Sequence, residues 1–538
     1  MLVRLAYIRG LETKIRDMET RLHGVTAQDY PDKEFAPSYH NERLDEADHT
    51  LTLNQGAGTL QESITATFID PIWDLDGVVR SEAPVLAYPL KSLLHHGDYQ
   101  QAPNFALCQR FPSKTAALEL VRHAFREFFY YIPLFNEDDF VQLFHQRYSQ
   151  PTSRDPAWYA CLNVVLSIAH LFRAMRMQGP SIENEEALKY LNNALEVVSQ
   201  LAVLRNSILA IQALVGMSII LQGTPNSHVA SALIAAAVRL AQAAGLHRNV
   251  YDPSFSEAQI EQRRRVFWMA YILDKDISLR TKHPFAQDDD DMDAELPQGI
   301  ATTLTSCTGD QQLINVINSR ISLAIIQGQI YKKLYSVRAS RQSRVEKAII
   351  AQQLKTILSY WRDGVPVDFE DDFEAPLNPP LKPEYHFLFV LRFTYMNCLI
   401  MISHHLNPVE PVFPAEQLPS EVPYYLAYSD SLCVEEARKA FRLLQVAPQG
   451  DYAVVWMLIQ PFFATVTVIL CYVLRNPKSL TAKDDLQLVQ PFLQLLLVLA
   501  EKGGRRFYSE EVNIIYRTCS TLNQRCIEAT KRVTMRLE

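Results

Sequence analysis

From residue 113 to the end, nearly every stretch of the chain repeats its apolar residues at helical spacing, and no run alternates at strand spacing. That pattern allows one kind of core, helix packed on helix. Ser113 heads the first such stretch, placed to cap a helix carrying Leu118, Val121, Phe125, Phe128 and Phe129. Further helices are predicted over 157–176, 184–203, 207–222, 227–245, 256–280, 310–336, 341–362, 384–406, 428–446, 452–474, 482–501 and 508–535. Gly245 stands where a left-handed residue ends a helix. Gly is only 17 of 538 residues, about 3% against a usual ~7%, and this scarcity also favours helices. No repeat of roughly 20–50 residues stands out, so a solenoid is not indicated. The fold class predicted is all-α.

Composition bounds the function. Lys+Arg is 52 against Asp+Glu 60, a net charge of -8. Such a chain is not broadly basic, so any nucleic-acid contact must be local. The eight cysteines include no Cys-x-x-Cys pair, and several lie in apolar runs. Free buried thiols in a reducing compartment are expected, with no structural zinc site. Arg4 and Arg9 interrupt the first residues, so no secretory leader is expected. Tyr452 to Leu474 is 23 residues without a charge, long enough for a bilayer of about 30 Å. With a mean hydropathy of -0.07 for the whole chain, core helices and no membrane are expected instead.

The first 110 residues differ. Ile8, Leu11, Ile15, Met18, Leu22 and Val25 alternate by three and four, the seam of a short parallel coiled coil over 2–25. Lys14 would then face Glu19 of the partner. One amphipathic helix packed on its own domain has the same periodicity. Residues 26–80 are punctuated by Pro, Asp, Asn, Gly and Ser, as in a linker. The expected organisation is a dimerisation segment at 1–25, a linker at 26–110 and one helical domain at 111–538.

Enzyme signatures are sparse. No phosphate loop, nucleophile elbow, His-Glu-x-x-His or dinucleotide fingerprint occurs. Asp289, Asp290 and Asp293 match the Asp-Asp-x-x-Asp by which class I terpene cyclases hold magnesium diphosphate. The second ligand set that such enzymes need begins at Asn318 and Ser322 but has Ile326 in place of Glu. Pro284 and Pro297 bracket the acidic run, so it reads as a solvated loop at 288–291 that binds no catalytic magnesium.

The segment Glu261-Gln262-Arg263-Arg264-Arg265-Val266-Phe267-Trp268 leads through Leu273-Asp274-Lys275 to Pro284 and then to Asp293-Ala294-Glu295-Leu296-Pro297. It resembles the hallmark of the fungal-specific transcription factor regulatory domain, the middle homology region that accompanies binuclear zinc-cluster DNA-binding domains. Gly245-Leu246-His247-Arg248, Tyr131 to Phe135 with Phe140, and Trp361 to Pro366 resemble other motifs of that family, in the same order. The resemblance covers roughly 110–450. It implies an all-α regulatory domain whose hallmark residues, Arg263, Arg264, Arg265, Phe267, Trp268, Asp274, Pro284, Asp293 and Pro297, are structural.

Read as physics, the hallmark is a helix apolar on nearly all sides after Val266, so it should be central and bury Phe267, Trp268 and Tyr271. Asp276 and Arg280, four apart, can pair on one face. The three arginines are expected to pair with acidic residues across the core, those of 288–293. Relatives carry a Gly-Arg-Pro-like turn where this chain has Lys282-His283-Pro284. They also carry a six-cysteine zinc cluster ahead of the coiled coil. No residue here can be assigned to it, so no metal, catalytic or DNA-reading residue is named, and zinc is expected only if such a cluster precedes Met1.

The resemblance implies a nuclear transcription regulator, a homodimer through Ile8, Leu11, Ile15, Met18 and Leu22, acting on promoter DNA and the transcription machinery to control pathway genes such as a secondary-metabolite cluster. One alternative is a cluster-less modulator that heterodimerises without touching DNA. The other is a metal-dependent all-α enzyme such as a terpene cyclase.

Overall fold

The computed structural model describes residues 111–148, 155–176, 182–204, 206–222, 227–249, 253–298, 307–365, 384–406, 431–446, 459–502 and 509–534. The segments 1–25 and 26–110, with Ile8, Leu11, Ile15, Met18 and Leu22, lie outside the described residues. The described residues form helices α1 (Lys114–Ala124), α2 (Glu137–Arg147), α3 (Pro156–Arg176), α4 (Ile182–Glu196), α5 (Val198–Leu201), α6 (Ile208–Leu221), α7 (Ser227–Ala243) and α8 (Glu257–Thr281). They continue through α9 (Cys307–Ile330), α10 (Val337–Ser340), α11 (Arg344–Asp363), α12 (Glu384–Leu406), α13 (Ser431–Val446), α14 (Ile459–Arg475), α15 (Ala482–Lys502) and α16 (Ser509–Thr534). No strand occurs among the described residues. The class is all-α.

Local chemistry sets the helix ends. The Ser113 hydroxyl accepts from Ala116 N at 3.3 Å and starts α1. Ser256 and Ser343 build reciprocal capping boxes with Gln259 and Glu346 at the heads of α8 and α11. Gly245 has φ +71°, the left-handed residue expected beyond α7. Two predicted helices change form along their length. The 184–203 stretch breaks at Val197, next to Val198, where two β-branched residues adjoin. The stretch ending at 336 switches to a π-helical turn over Tyr331–Tyr335.

Helix α8 joins two groups of helices. It packs on α6 and α7 on one side and on α9 on the other. Before it, α3 pairs with α4 and α6, and Val164 lies so close to Gly216 that an added Cβ would sit 2.5 Å from its Cγ1. After it, α12 meets α11, α13 and α14, and α16 closes on α14 and α15. Phe393 of α12 stacks on Phe462 of α14 at 3.8 Å between ring centroids, with Phe441 and Phe492 around them. Thus the described part of the uncharged 452–474 stretch is core. Among the described residues one helix, Pro156–Ala174, is long and apolar enough to cross a membrane, and 83% of that window is buried inside the protein.

His405, near the end of α12, packs edge-on against Tyr335 at 5.1 Å, and its Nε2 is buried without a hydrogen-bond partner. Burial, with His404, Lys347 and Lys282 nearby, lowers its pKa to about 3. A histidine held neutral contributes stability that is complete above its unfolded pKa near 6.5 and is lost as pH falls toward 3. Acid unfolding curves should show a loss of about 1.4 kcal/mol per pH unit below roughly 6.5 from this group. His405→Phe keeps the ring contact and should flatten that limb. An unchanged slope would remove His405 from the account.

Candidate functional site

The hallmark residues lie along α8 and the loop that follows it. Phe267, Trp268 and Tyr271 are all buried, their rings in contact. The loop over 283–298 folds back antiparallel to the helix and is stitched to it rung by rung. Near the helix start, Glu261 accepts from Gln298 N at 3.2 Å and from Arg265 Nε at 3.0 Å. One turn on, Arg264 is ion-paired with Glu295, and Trp268 Nε1 donates to the Glu295 carbonyl at 2.8 Å. Further along, the Tyr271 hydroxyl donates to Asp289 at 2.7 Å. Near the helix end, Asp274 accepts from Ala286 N at 2.9 Å and Gln287 N at 3.0 Å.

This register corrects the expected partners of the arginines. Asp288 meets Lys332, Asp289 meets Lys275 and Asp293 meets Arg248, so the acidic run has other cation partners. Arg263 instead donates to the Ala244 carbonyl at 2.9 Å, at the end of α7, and covers the Phe255 ring. Arg264 goes to Glu295 and Arg265 back to Glu261 on its own helix. The acidic run is also not the uniformly solvated loop expected. Asp290 is 92% exposed, but Asp288 pairs with Lys332 at 2.6 Å and Asp289 with Lys275 at 2.8 Å. Asp293 is an anchor too. It accepts from Arg248 Nε and Asn249 N, and its own N–H donates to the His247 carbonyl. That contact ties the Gly-Leu-His-Arg turn to the loop. Pro297 is buried at the far end of the loop, whereas Pro284 is exposed at its start.

Lys275 escaped the sequence reading. Its ammonium is fully buried, donates to the Gln287 carbonyl at 2.7 Å and sits 3.3 Å from the Phe285 ring centroid. A buried cation demands such partners. Burial lowers its pKa, and Asp289 opposes that. Burial likewise raises Asp274, against the pull of the two loop N–H groups. The signal was present in sequence. Lys275 is four residues after Tyr271 on a helix apolar on nearly all sides, so it had to be inside.

Lys282 stands at φ 56°, the left-handed region that glycine occupies most easily, and ends α8 through its N–H to Ser278 O. A lysine here adopts a left-handed backbone at a steric cost.

On a neighbouring face of α8, Asp276 is enclosed. It accepts from Arg280 Nε at 3.1 Å and Gln327 Nε2 at 2.8 Å, with Arg320 at 3.5 Å. Burial would raise this carboxyl. Arg280 and Arg320 outweigh it and hold the pKa below the usual carboxylate range. Two other family-like motifs attach to α8 and to its neighbours α6 and α9. The Leu134 carbonyl accepts from Gln212 of α6 and Gln262 of α8. Trp361 donates to the Ser319 carbonyl and Ser322 hydroxyl on α9.

Asp289 is engaged by Tyr271 and Lys275, and Ser322 by Trp361. Among the described residues no group of three His, Cys, Asp or Glu side chains is placed to hold a metal ion. What the arrangement does is mechanical: it locks a loop and two groups of helices to one central helix.

Residues 123–363 match the family described as fungal specific transcription factor domain. The chain is 36% identical to an ABC-transporter-regulating transcription factor of Aspergillus oryzae over 411 residues, 73% of this chain and 45% of the relative. It is 35% identical to the protein of the same name in Aspergillus fumigatus, with the same coverage. It is 29% identical to the fusaridione A cluster transcription factor fsdR of Fusarium heterosporum, over 74% of this chain and 75% of the relative. The chain therefore spans less than half the length of the two Aspergillus relatives. All three are named as transcription factors, not as enzymes. No solved structure matches the chain.

Proposed function

Residues 123–363 carry a fungal specific transcription factor domain, and from that premise we propose that the chain is a nuclear regulator of transcription that controls a set of pathway genes. The observation that carries this reading is the family match itself, together with relatives that are regulators over most of the helical domain. The locked α8 module suits a regulatory scaffold better than a catalyst, because its charged groups are spent on one another. The name of the Fusarium relative favours a biosynthetic gene cluster as the target. Higher identity to the two Aspergillus proteins favours a second target class, transporter genes. Transcript profiling after deletion of the coding sequence separates them. Loss of contiguous biosynthetic transcripts supports the first target, and loss of transporter transcripts the second. An unaltered transcriptome under every growth condition would oppose the reading.

The dimer seam over 2–25 belongs to the same proposal: Ile8, Leu11, Ile15, Met18 and Leu22 would pair two copies. Sedimentation of the full chain should give a dimer, and Leu11→Asp with Ile15→Asp a monomer. The 538-residue chain alone is expected not to select a DNA site. Its net charge is -8, and the hallmark arginines are engaged inside the fold. Mobility shifts on candidate promoters check this, and tight sequence-selective retardation would contradict it. Promoter contact would then come from a partner or from further sequence, including a zinc cluster.

A further inference from the structure

A cavity of about 130 Å³ lies where the two groups of helices meet, its wall drawn mainly from the π-helical turn after α1 and from α6, α8, α9 and α12. Most of that wall is apolar, with Phe128, Ile219, Leu273 and Leu391 in it. Interiors pack to crystal density with few voids larger than a water molecule, and a dry apolar cavity of roughly 150 Å³ is known to hold benzene. The charged groups in the wall are Glu127, Asp276 and Arg320, and each has a counter-charge. Asp276 has Arg280 at 3.1 Å and Arg320 at 3.5 Å, and Glu127 has Arg126 at 3.4 Å. An ionic ligand would lose its hydration here and find no unpaired charge to meet it, so the space suits an uncharged occupant.

A buried polar group in the wall has nothing to bond. Thr394 of α12 lines the cavity and is 2% exposed, and among the described residues its hydroxyl has no hydrogen-bond partner. Thr465 and Thr467, buried in α14, each donate to the carbonyl four residues back, at 2.6 and 2.8 Å. Thr394 makes no such bond. A buried hydroxyl without a partner destabilises the fold, and a ligand oxygen would supply what is missing, since the hydroxyl rotates to suit.

We propose that this cavity is a binding site for a small uncharged molecule with an apolar body and one acceptor oxygen, such as a cyclic ketone or lactone of about six to eight non-hydrogen atoms. The oxygen accepts from the Thr394 hydroxyl, and the body lies against Phe128, Ile219 and Leu273. Met269, Ile272, Leu273 and Asp276 bring α8 into the wall through a face other than the one that grips the loop. Occupancy thus bears on the helix that joins both groups of helices, which is how a metabolite would reach a regulatory scaffold. Binding itself does not depend on the transcriptional reading, and it is measured without DNA.

The test uses the full chain with cyclohexanone, its hydrocarbon isostere methylenecyclohexane, cyclohexylammonium and cyclopentanecarboxylate as probes, followed by titration calorimetry and thermal unfolding. Cyclohexanone should bind saturably and raise Tm by about 1–2 °C at high occupancy. Neither charged probe should bind saturably. Thr394→Val keeps the side-chain shape and removes the hydroxyl, so it should weaken cyclohexanone about three- to tenfold and spare methylenecyclohexane. Thr394→Ser keeps the hydroxyl and should retain most of the affinity for cyclohexanone. Should Thr394→Val fail to fold, Leu273→Trp carries the test, because it fills the cavity and should abolish binding of both uncharged probes. No saturable binding of cyclohexanone, a charged probe binding as well as cyclohexanone, unchanged cyclohexanone affinity in folded Thr394→Val, or full binding in Leu273→Trp would each overturn the proposal.

Discussion

Trp268→Ala should lower the stability of the chain by about 3–5 kcal/mol, the range for deleting a large buried aromatic. Two losses combine. The indole is 3% exposed and packs between Phe267 and Tyr271, so its removal opens a cavity at the centre of α8. Its N–H also holds the Glu295 carbonyl, so the loop loses a rung of its attachment. Trp268→Phe separates the two. It restores most of the volume and loses the hydrogen bond, and should cost about 1 kcal/mol for that bond plus the remaining void. Denaturant unfolding of the variants checks both numbers. A midpoint for Trp268→Ala equal to that of the parent would mean that α8 is not the central helix.

Asp276→Ala should be as damaging, about 3–5 kcal/mol, for an electrostatic reason. The carboxylate is the shared partner of Arg280, Arg320 and the Gln327 amide. Without it two guanidiniums face each other in the interior. The physical origin shows in the rescue: Arg320→Met added to Asp276→Ala should recover part of the loss, since one buried cation is then removed. Single-variant losses that simply add would contradict this. The pH dependence has a definite sign. The folded pKa of Asp276 is depressed, so its contribution is present above the ordinary carboxylate pKa, about 4, and is lost as pH falls below it.

Helix α12 runs over 384–406 as its periodicity indicates, and α8 starts at the serine that caps it. Those features are local, set by apolar spacing, caps and Gly245. The Asp276–Arg280 pair was legible for the same reason, being four residues apart on one helix. The arginine partners were not. They depend on the register of the loop on α8, and that register is fixed by contacts such as Asp274 with the N–H groups of Ala286 and Gln287. No spacing in the sequence encodes a backbone donor. Lys275 was legible in principle from its place on the buried face, but a lysine in sequence reads as surface. Arg320 lies 44 residues from Asp276, on a different helix, so its contact with that carboxylate is tertiary.

The central claim is that these residues are the regulatory part of a transcription regulator. The most direct measurement tethers the full chain to a reporter promoter of intermediate activity through an unrelated DNA-binding domain, in a fungal host. The account predicts a change in reporter output, lost in Asp276→Ala at matched protein level. Reporter output indistinguishable from the tether alone, with the chain folded and nuclear, would contradict it.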